Sequence, residues 1–474
     1  MKAYTLLSRG LPTRPERAPY SPKHFSSISF AVLVTGFLLS FFSVTESPRM
    51  FLGDFCLAAV GVPALLLIRL SKQVWRVVSI GCLYLLYASI IAYFYHESEA
   101  WSIINYLGLN ALWLIGTVAF YVLVRHEVLL VAWLLLALAI AFGLQALYFG
   151  SPLWDGEGGY DGGGAAALIY ALLGLGALLQ NLPVRQKVIG LSLLVAYLAV
   201  SGAATVIALE GRDRGGAIGI IMLAGLALVL ARGSVRLRRW LSARPLQVAV
   251  VGVASAFVLV IGQYELAQSG VLPRDVSEKI IDQWNHRNGY LVAARPDSVS
   301  AFLVALDRPF LGYGTSSRDP EALKRYAELV AYESIGELER YFDRSDGYVP
   351  LHSTMGGAWA RVGLPGLLVW VGVAVLLWRG SVVSLANGGP LAMLTCGGSM
   401  IVLYQIFFEP TADRYLFPLA LACALHAWSH RPARIPVIAG RAGSVDHLGA
   451  SRDPRTRRPP IDRDRAALWA DRPT

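Results

Sequence analysis

The sequence predicts an all-α polytopic membrane protein with about twelve transmembrane helices, and three observations lead to this prediction. The 474 residues are 55% hydrophobic and only 16% charged, whereas ordinary soluble proteins carry about 25% charged residues. Twelve apolar stretches approach the length of about 20 residues that a bilayer core requires. Basic residues recur in alternate connecting segments, as in oriented membrane helices. These features exclude a disordered chain, a nucleic-acid-binding module and an ordinary cytosolic enzyme.

The predicted helices divide into nine within residues 28–266 and three within residues 360–428. Glycine is frequent inside them, as membrane helices allow. Residues 1–27 form a polar cytoplasmic leader with no evident cleavage site, so the first helix is predicted to be an uncleaved signal anchor. In chain order the predicted spans are 28–45, 51–70, 75–95, 103–124, 127–149, 164–181, 188–208, 215–231, 246–266, 360–378, 388–408 and 414–428.

The distribution of basic residues predicts that both termini lie in the cytoplasm. In this orientation the inner segments carry 27 basic and seven acidic residues, a net charge of +20, and the outer side carries 15 basic and 25 acidic residues, a net charge of −10. The alternation holds over all twelve spans, in agreement with the positive-inside rule. The overall charge of +10 is therefore an orientation signal, and nucleic acid is not an expected partner.

Two long segments lie outside the predicted membrane helices. Residues 267–359, between helices 9 and 10, contain 13 acidic and 10 basic residues between 268 and 358 and predict a partly helical cap on the outer side. Within the cap, residues 320–342 place apolar side chains at helical spacing opposite charged ones. The C-terminal segment 429–474 is rich in arginine and proline, which predicts a disordered basic tail attracted to anionic lipids.

Arginines on the outer side are candidate functional residues, because the positive-inside rule disfavours them there. Arg212 and Arg214 lie in the segment ALEGRDRGGAIG, at the outer start of the eighth span. Asp213 can cap that helix, and the two following glycines allow a ligand to approach the backbone. Free N–H groups, the helix dipole and a planar guanidinium together form an anion site. The alternative is an interfacial arginine held in a salt bridge.

The cap supplies two further arginines, Arg287 and Arg295, and ends with His352 just before the tenth span. A histidine beside the outer arginines is a candidate for proton transfer or acceptor positioning; the alternative is a structural histidine. Arg361 enters the tenth span. Asp413 and Arg414 lie in the last outer turn, where they are either supporting site residues or helix caps.

The sequence predicts neither a metal site nor a cofactor. Histidine and acidic residues show no metal-ligand spacing. All four cysteines lie inside predicted spans and lack the CxxC spacing of a metal or redox site. They are Cys56, Cys82, Cys396 and Cys423.

Three segments have the motifs of one known family, in that family's order. They are DRGGA (213–217) at a helix start, the stretch from Arg295 to PFLGYG (309–314) in the cap, and HSTMGGAWARVGLPG (352–366) at the end of the cap. On these segments, and on the number of spans, the chain resembles the O-antigen ligase and O-antigen polymerase superfamily of bacterial inner-membrane glycosyltransferases. Serine and asparagine are usual in the family at the positions of Asp213 and Ser353.

The resemblance implies an O-antigen ligase-like enzyme of the bacterial inner membrane with a periplasmic cap. Such an enzyme takes a glycan from an undecaprenyl-pyrophosphate carrier and transfers it, without a metal, to a hydroxyl of lipid A core or of a growing polysaccharide. The resemblance implies that Arg214 and Arg295 bind the pyrophosphate, with Arg287 as the rival loop arginine. It also implies that His352 activates or orients the acceptor hydroxyl.

Three other functions are compatible with parts of the sequence. A polysaccharide polymerase of the same superfamily would share the donor site, so the sequence does not separate it from a ligase. A polytopic glycan transporter or flippase would suit twelve spans, although internal repeats are not evident and charges within the spans are nearly absent. A metal-dependent membrane glycosyltransferase would require adjacent acids in the first outer loop, which contains no such pair.

Overall fold

The computed structural model describes the helices and short connections of the chain. The described residues are 22–38, 43–45, 50–95, 100–126, 128–148, 163–181, 187–210, 214–232, 235–272, 274–286, 289–290, 296–314, 324, 351, 353–388, 390–408 and 415–429. All of them belong to the compact unit Met1–Arg431. The predicted helix at 320–342, except Lys324, and the predicted tail from residue 430 onward lie outside the described residues.

The described residues form sixteen α-helices and one two-stranded hairpin, which confirms the predicted all-α class. The strands of the hairpin are β1 (Ser43–Thr45) and β2 (Met50–Phe51). The helices are α1 (Pro22–Leu38), α2 (Leu52–Leu67), α3 (Lys72–Phe94), α4 (Ala100–His126), α5 (Val128–Tyr148), α6 (Gly163–Gln180), α7 (Lys187–Glu210), α8 (Arg214–Arg232), α9 (Val235–Ala243), α10 (Pro245–Gln268), α11 (Arg274–Trp284), α12 (Pro296–Ala305), α13 (Thr354–Val362), α14 (Leu364–Asn387), α15 (Ala392–Phe408) and α16 (Leu416–Ser429).

The core of this unit surrounds α16, which packs against α4, α14 and α15. Residues 416–425 of α16 are all buried, so this helix is enclosed rather than amphipathic. Trp113 of α4, Trp370 of α14 and Phe417 of α16 form an aromatic cluster, with ring centroids 5.0–5.3 Å apart. Tilted and edge-to-face pairs of this kind are favourable beyond the apolar area that they bury. The aromatic cluster therefore fixes three helices relative to one another.

Several helices have the character of membrane segments. Three stretches within the described residues are long and apolar enough to cross a bilayer: Lys72–Phe94, Tyr106–Arg125 and Leu364–Asn387. Eight further apolar helical stretches of 10–17 residues accompany them. Large apolar side chains remain exposed on these helices, as on Leu83 of α3 and Leu368 of α14, with exposed fractions of 65% and 59%. An apolar exterior is the expected surface for contact with lipid.

Hydrogen bonds near one end of the helices join segments that the charge pattern assigns to the inner side. The Arg125 guanidinium donates to the carbonyl of Arg69 over 3.2 Å, which links the end of α4 to the α2–α3 connection. The side-chain amide of Asn181, after α6, donates to the carbonyl of Pro390 over 3.2 Å. The amide of Met393 donates to Gln180 Oε1 over 2.9 Å. Predicted inner connections therefore contact one another.

The first predicted span differs from the structure at both ends. The prediction placed it at 28–45 after a leader of 27 residues, whereas α1 begins at Pro22 and ends at Leu38. Proline is favoured at the first position of a helix, because its missing N–H would have no helical partner there. Ser43–Thr45 pairs with Met50–Phe51 in the hairpin, so these residues are extended and cannot continue the helix.

The tenth predicted span, 360–378, is also wrong in its bounds. Two helices occupy this region, and they meet at Gly363, whose φ of +73° and ψ of −160° interrupt the helical path. The first helix, α13, extends across the predicted boundary of the cap at residue 359. The second, α14, continues to Asn387, where Gly388 ends it in the left-handed conformation.

Candidate functional site

Two of the motif segments lie side by side in the structure. The 307–314 turn, which follows α12, runs along the C-terminal end of α13. The amide of Tyr313 donates to the carbonyl of Ala360 over 2.7 Å, and the amide of Gly314 donates to the carbonyl of Arg361 over 2.9 Å. Since these partners are almost 50 positions apart in the chain, the two bonds attach the middle of the predicted cap to the helix that follows it.

Two glycines make this close approach possible. Gly312 has a φ of +73°, and a Cβ there would lie 2.5 Å from the carbonyl carbon and oxygen of Arg361. Gly363 also has a φ of +73°, and a Cβ there would overlap the carbonyl of Phe310. At both positions the backbone conformation favours glycine. At both, the backbone of the opposite segment also leaves no room for a side chain. The contact requires both glycines of the motif segments.

Side chains fasten the 307–314 turn on two further sides. Trp359 of α13 donates from Nε1 to the carbonyl of Pro309 over 2.9 Å. Tyr95, at the end of α3, donates from its hydroxyl to the carbonyl of Gly312 over 2.7 Å. The Arg308 guanidinium lies over the Tyr313 ring, 4.5 Å from its centroid. The turn is therefore held by α3 as well as by α13.

Arg361 is the predicted site residue whose side chain the structure describes. It is half-buried, and its guanidinium lies 5.2 Å from the ring centroid of Tyr106 on α4. The Tyr106 hydroxyl in turn contacts the hydroxyl of Tyr84 on α3. Arg361 Nε is enclosed, and no residue that the structure describes accepts a hydrogen bond from it. Within the described ranges no carboxylate forms an ion pair with this guanidinium.

The surroundings of Arg361 suit an anion. A guanidinium above an aromatic ring is held by a cation–π interaction and keeps its full charge. Its remaining N–H groups form a planar fork that matches the oxygens of a phosphate. Charges in a partly buried position are screened less by water than surface charges. The arrangement can therefore bind or stabilise a phosphate-like group.

The predicted site segments converge on the C-terminal end of α15, which the charge pattern assigns to the outer side. Ser298, three residues after Arg295, donates from its hydroxyl to the carbonyl of Phe408 over 3.1 Å. Ser353 is fully buried, donates to the carbonyl of Ile406 over 3.2 Å, and caps α13 by accepting from the amide of Gly356.

The start of α8 also contacts α15. A Cβ built on Gly219, five positions after Arg214, would lie 2.9 Å from Cδ1 of Ile401. Residues 401–408 of α15 therefore contact segments close in sequence to Arg214, Arg295 and His352. The same residues of α15 lead directly into the last outer turn.

Most predicted site residues fall outside the part that the structure describes. Arg214 begins α8, but its side chain is not among the described ones. The other predicted residues beyond the described ranges are Arg212, Arg287, Arg295, His352, Asp413 and Arg414. The structure thus places neighbours of these residues, and places Arg361 itself. Within the described ranges, no group of three histidine, cysteine or acidic side chains is arranged to bind a metal ion.

The tyrosines around Arg361 were missed by the sequence analysis. Tyr95 and Tyr106 lie near the predicted outer ends of the third and fourth spans, and Tyr84 lies in the middle of the third. Tyrosine is enriched at membrane–water interfaces, where its ring is apolar and its hydroxyl is polar. This enrichment was the available signal, and it would have marked two of the helices beside the 307–314 turn.

Comparison of the chain with known proteins places it in no known group: no family model matches the sequence, and no curated protein matches it.

Proposed function

We propose that the protein is an O-antigen ligase-like glycosyltransferase that moves a glycan from an undecaprenyl-pyrophosphate carrier to a sugar hydroxyl. The observation that carries this proposal is the convergence on residues 401–408 of α15. Segments adjoining Arg214, Arg295 and His352 contact this one stretch. Such a grouping is what a site needs if arginines from separate segments are to act on one pyrophosphate.

The proposed topology comprises twelve transmembrane helices with both termini in the cytoplasm of a bacterial cell. The cap then lies in the periplasm, above the inner membrane. The contacts support this arrangement, because Tyr95, Gly312, Ser298 and Phe408 join predicted outer segments. The inner connections, by contrast, contact only one another in the hydrogen bonds around Asn181 and Arg125 described above. The proposed site would therefore face a carrier lipid in the outer leaflet.

The proposed chemistry is a substitution at the anomeric carbon of the donor sugar. The acceptor hydroxyl oxygen forms the new bond to that carbon, and the bond to the pyrophosphate oxygen breaks with its electron pair. Undecaprenyl pyrophosphate leaves, and Arg214 and Arg295 or Arg287 hold its negative charge. His352 accepts the proton of the attacking hydroxyl or orients that hydroxyl. The acceptor is lipid A core in a ligase and the growing polysaccharide in a polymerase of the same type.

Arg361 contributes a fixed charge next to this reaction. Its carbonyl holds the 307–314 turn while its guanidinium lies over Tyr106. The same residue therefore connects the cap to the membrane helices and adds positive charge at their junction. In this proposal the stacked guanidinium stabilises the departing pyrophosphate, as arginine does at sites of phosphate chemistry.

A transfer assay with purified protein tests the proposal. A synthetic undecaprenyl-pyrophosphate glycan is supplied with either lipid A core or excess glycan as acceptor, and the products are identified by mass spectrometry. Transferred glycan and free undecaprenyl pyrophosphate should appear in equal amounts. Loss of one charge-stabilising group usually costs about 100-fold or more in rate, so we expect losses of this size for Arg214→Ala, His352→Ala and Arg361→Ala.

Arg274→Ala is the matched control. Arg274 lies on α11, has a side chain that is 92% exposed, and forms an ion pair with Glu278. Its removal should leave the transfer rate unchanged. Full turnover by Arg214→Ala and His352→Ala would overturn the assignment of the site. Glycan uptake into proteoliposomes with no transferred product would instead support a transporter.

A further inference from the structure

A short basic helix lies between two apolar helices and has no role in the proposed reaction. This helix is α9, with the sequence VRLRRWLSA. Leu237, Trp240 and Leu241 are three or four positions apart and therefore share one face of the helix. Arg236 and Arg238 occupy positions outside this face of the helix. Both contribute to the positive charge of the predicted inner side.

The apolar face of α9 is not covered by the described protein. Leu237 is 41% exposed and Trp240 is 48% exposed. Leu246, at the start of α10, is 76% exposed. The exposed guanidinium of Arg244 lies 5.3 Å from the Trp240 ring centroid, and Arg236 is also exposed. Large apolar side chains and exposed arginines are therefore next to each other on one surface.

A contact with α14 fixes α9 at the end of the helical bundle. The Arg238 guanidinium occupies the space that a Cβ on Gly388 would fill. Gly388 ends α14, and cations are favoured at the C-terminal end of a helix by its dipole. Because α8 ends just before α9 and α10 begins just after it, α9 lies where two apolar helices leave the predicted bilayer. This position places α9 at the interface between the predicted bilayer core and the lipid headgroups.

We infer that α9 is an interfacial helix that binds anionic phospholipid headgroups of the cytoplasmic leaflet. Leu237 and Trp240 enter the boundary between headgroups and acyl chains, while Arg236 and Arg244 bind lipid phosphates. A helix with one apolar face and a basic remainder is the usual form of such an element. The inference requires a membrane but does not depend on the proposed enzymatic reaction.

The chain's own C-terminal tail is a poor alternative occupant of this surface. Residues 430–474 contain ten arginines and five aspartates, so the tail is basic overall and would be repelled by α9. A lipid phosphate supplies the opposite charge, and its acyl chains cover Leu237 and Trp240. One anionic phospholipid therefore provides a partner for the arginines and for the apolar side chains.

Lipid-dependent quenching of Trp240 tests the inference in the full-length protein. The protein in neutral detergent is titrated with brominated phosphatidylglycerol or brominated phosphatidylcholine. The emission of Trp240 is the difference between the protein and its Trp240→Phe variant. We expect quenching at lower concentrations of phosphatidylglycerol than of phosphatidylcholine. In Arg236→Gln/Arg244→Gln the phosphatidylglycerol midpoint should rise by about 30-fold, since each arginine near a lipid surface contributes about 1 kcal/mol.

Arg274→Gln/Lys279→Gln is the charge-matched control, because both residues are exposed on α11. This variant should keep the midpoint of the unmodified protein within about twofold, as expected for distant charges that are screened. Equal midpoints for the two lipids in the unmodified protein would overturn the inference. Unquenched Trp240 emission would also overturn it, and would assign the surface to a protein partner or to a second copy of the chain.

Discussion

Replacing Gly363 by alanine should separate the 307–314 turn from α13. At a φ of +73° and a ψ of −160°, any other residue is strained by about 1–3 kcal/mol. The added Cβ would also lie 2.6 Å from the amide nitrogen of Leu311 and would overlap the Phe310 carbonyl. Both obstacles are backbone atoms, so no side-chain rotation relieves them. The 307–314 turn must move away from α13.

The size of the effect follows from the contacts that this movement breaks. The bonds from Tyr313 to Ala360 and from Gly314 to Arg361 contribute about 0.5–1.5 kcal/mol each. Together with the backbone strain, the predicted loss of stability is about 2–6 kcal/mol. Unfolding entropy is about 2.1 cal/mol/K per residue, so for the unit Met1–Arg431 one kcal/mol corresponds to about 1 °C. The Tm should therefore fall by about 2–6 °C.

The assay is thermal denaturation in detergent, followed by far-ultraviolet circular dichroism and by loss of the monodisperse peak in size exclusion. Gly372→Ala is the control, since Gly372 lies within α14 and a Cβ there meets no atom within 4 Å. Alanine favours a helix over glycine by about 1 kcal/mol, so the control should melt at the same temperature or slightly higher. A Gly363→Ala protein with an unchanged Tm would refute the reasoning.

Three further substitutions test other contacts by the same melting assay. Ser353→Ala removes the cap of α13 and the bond to Ile406, and should cost about 1–2 kcal/mol; no change would show that the cap is dispensable. Trp359→Phe keeps the ring but loses the hydrogen bond to Pro309, so a loss of about 1 kcal/mol is expected, and equal stability would contradict that bond. Trp370→Ala in the aromatic cluster should cost about 3–5 kcal/mol, whereas a loss below 1 kcal/mol would mean that the cluster is not part of the core.

Long apolar runs allowed most helices to be predicted from the sequence. The third span was predicted at 75–95 and the ninth at 246–266, and the helices α3 and α10 lie at Lys72–Phe94 and Pro245–Gln268. Hydrophobicity predicts the positions of such helices because a bilayer core requires a long run of apolar residues. It did not predict α9, whose nine residues are too few and too basic for a membrane span.

The interior of the candidate site was less accessible to sequence reasoning. Arg361 was identified as a supporting residue because it enters the tenth predicted span shortly after His352, but its partner Tyr106 lies on a helix some 250 positions earlier. Such a pairing depends on how α4 and α13 pack, and packing is not encoded in a local pattern. Gly312 and Gly363 were part of the sequence motifs. Only the structure shows that the two segments are adjacent and that a Cβ on either glycine would meet the backbone of the other segment.

The backbone bonds from Tyr313 and Gly314 to α13 also determine how freely the cap can change in length. They bring Gly314 and Arg361 together, so a change in chain length between these two residues has both of its ends anchored at one place in the fold. Doubling the length of a flexible loop with fixed ends costs only about 0.6 kcal/mol. An insertion between Gly314 and Leu351 would therefore cost little stability as long as both anchors keep their bonds. Ser353 and the buried residues of α13 mark the limit of such a change, because they pack against the rest of the unit.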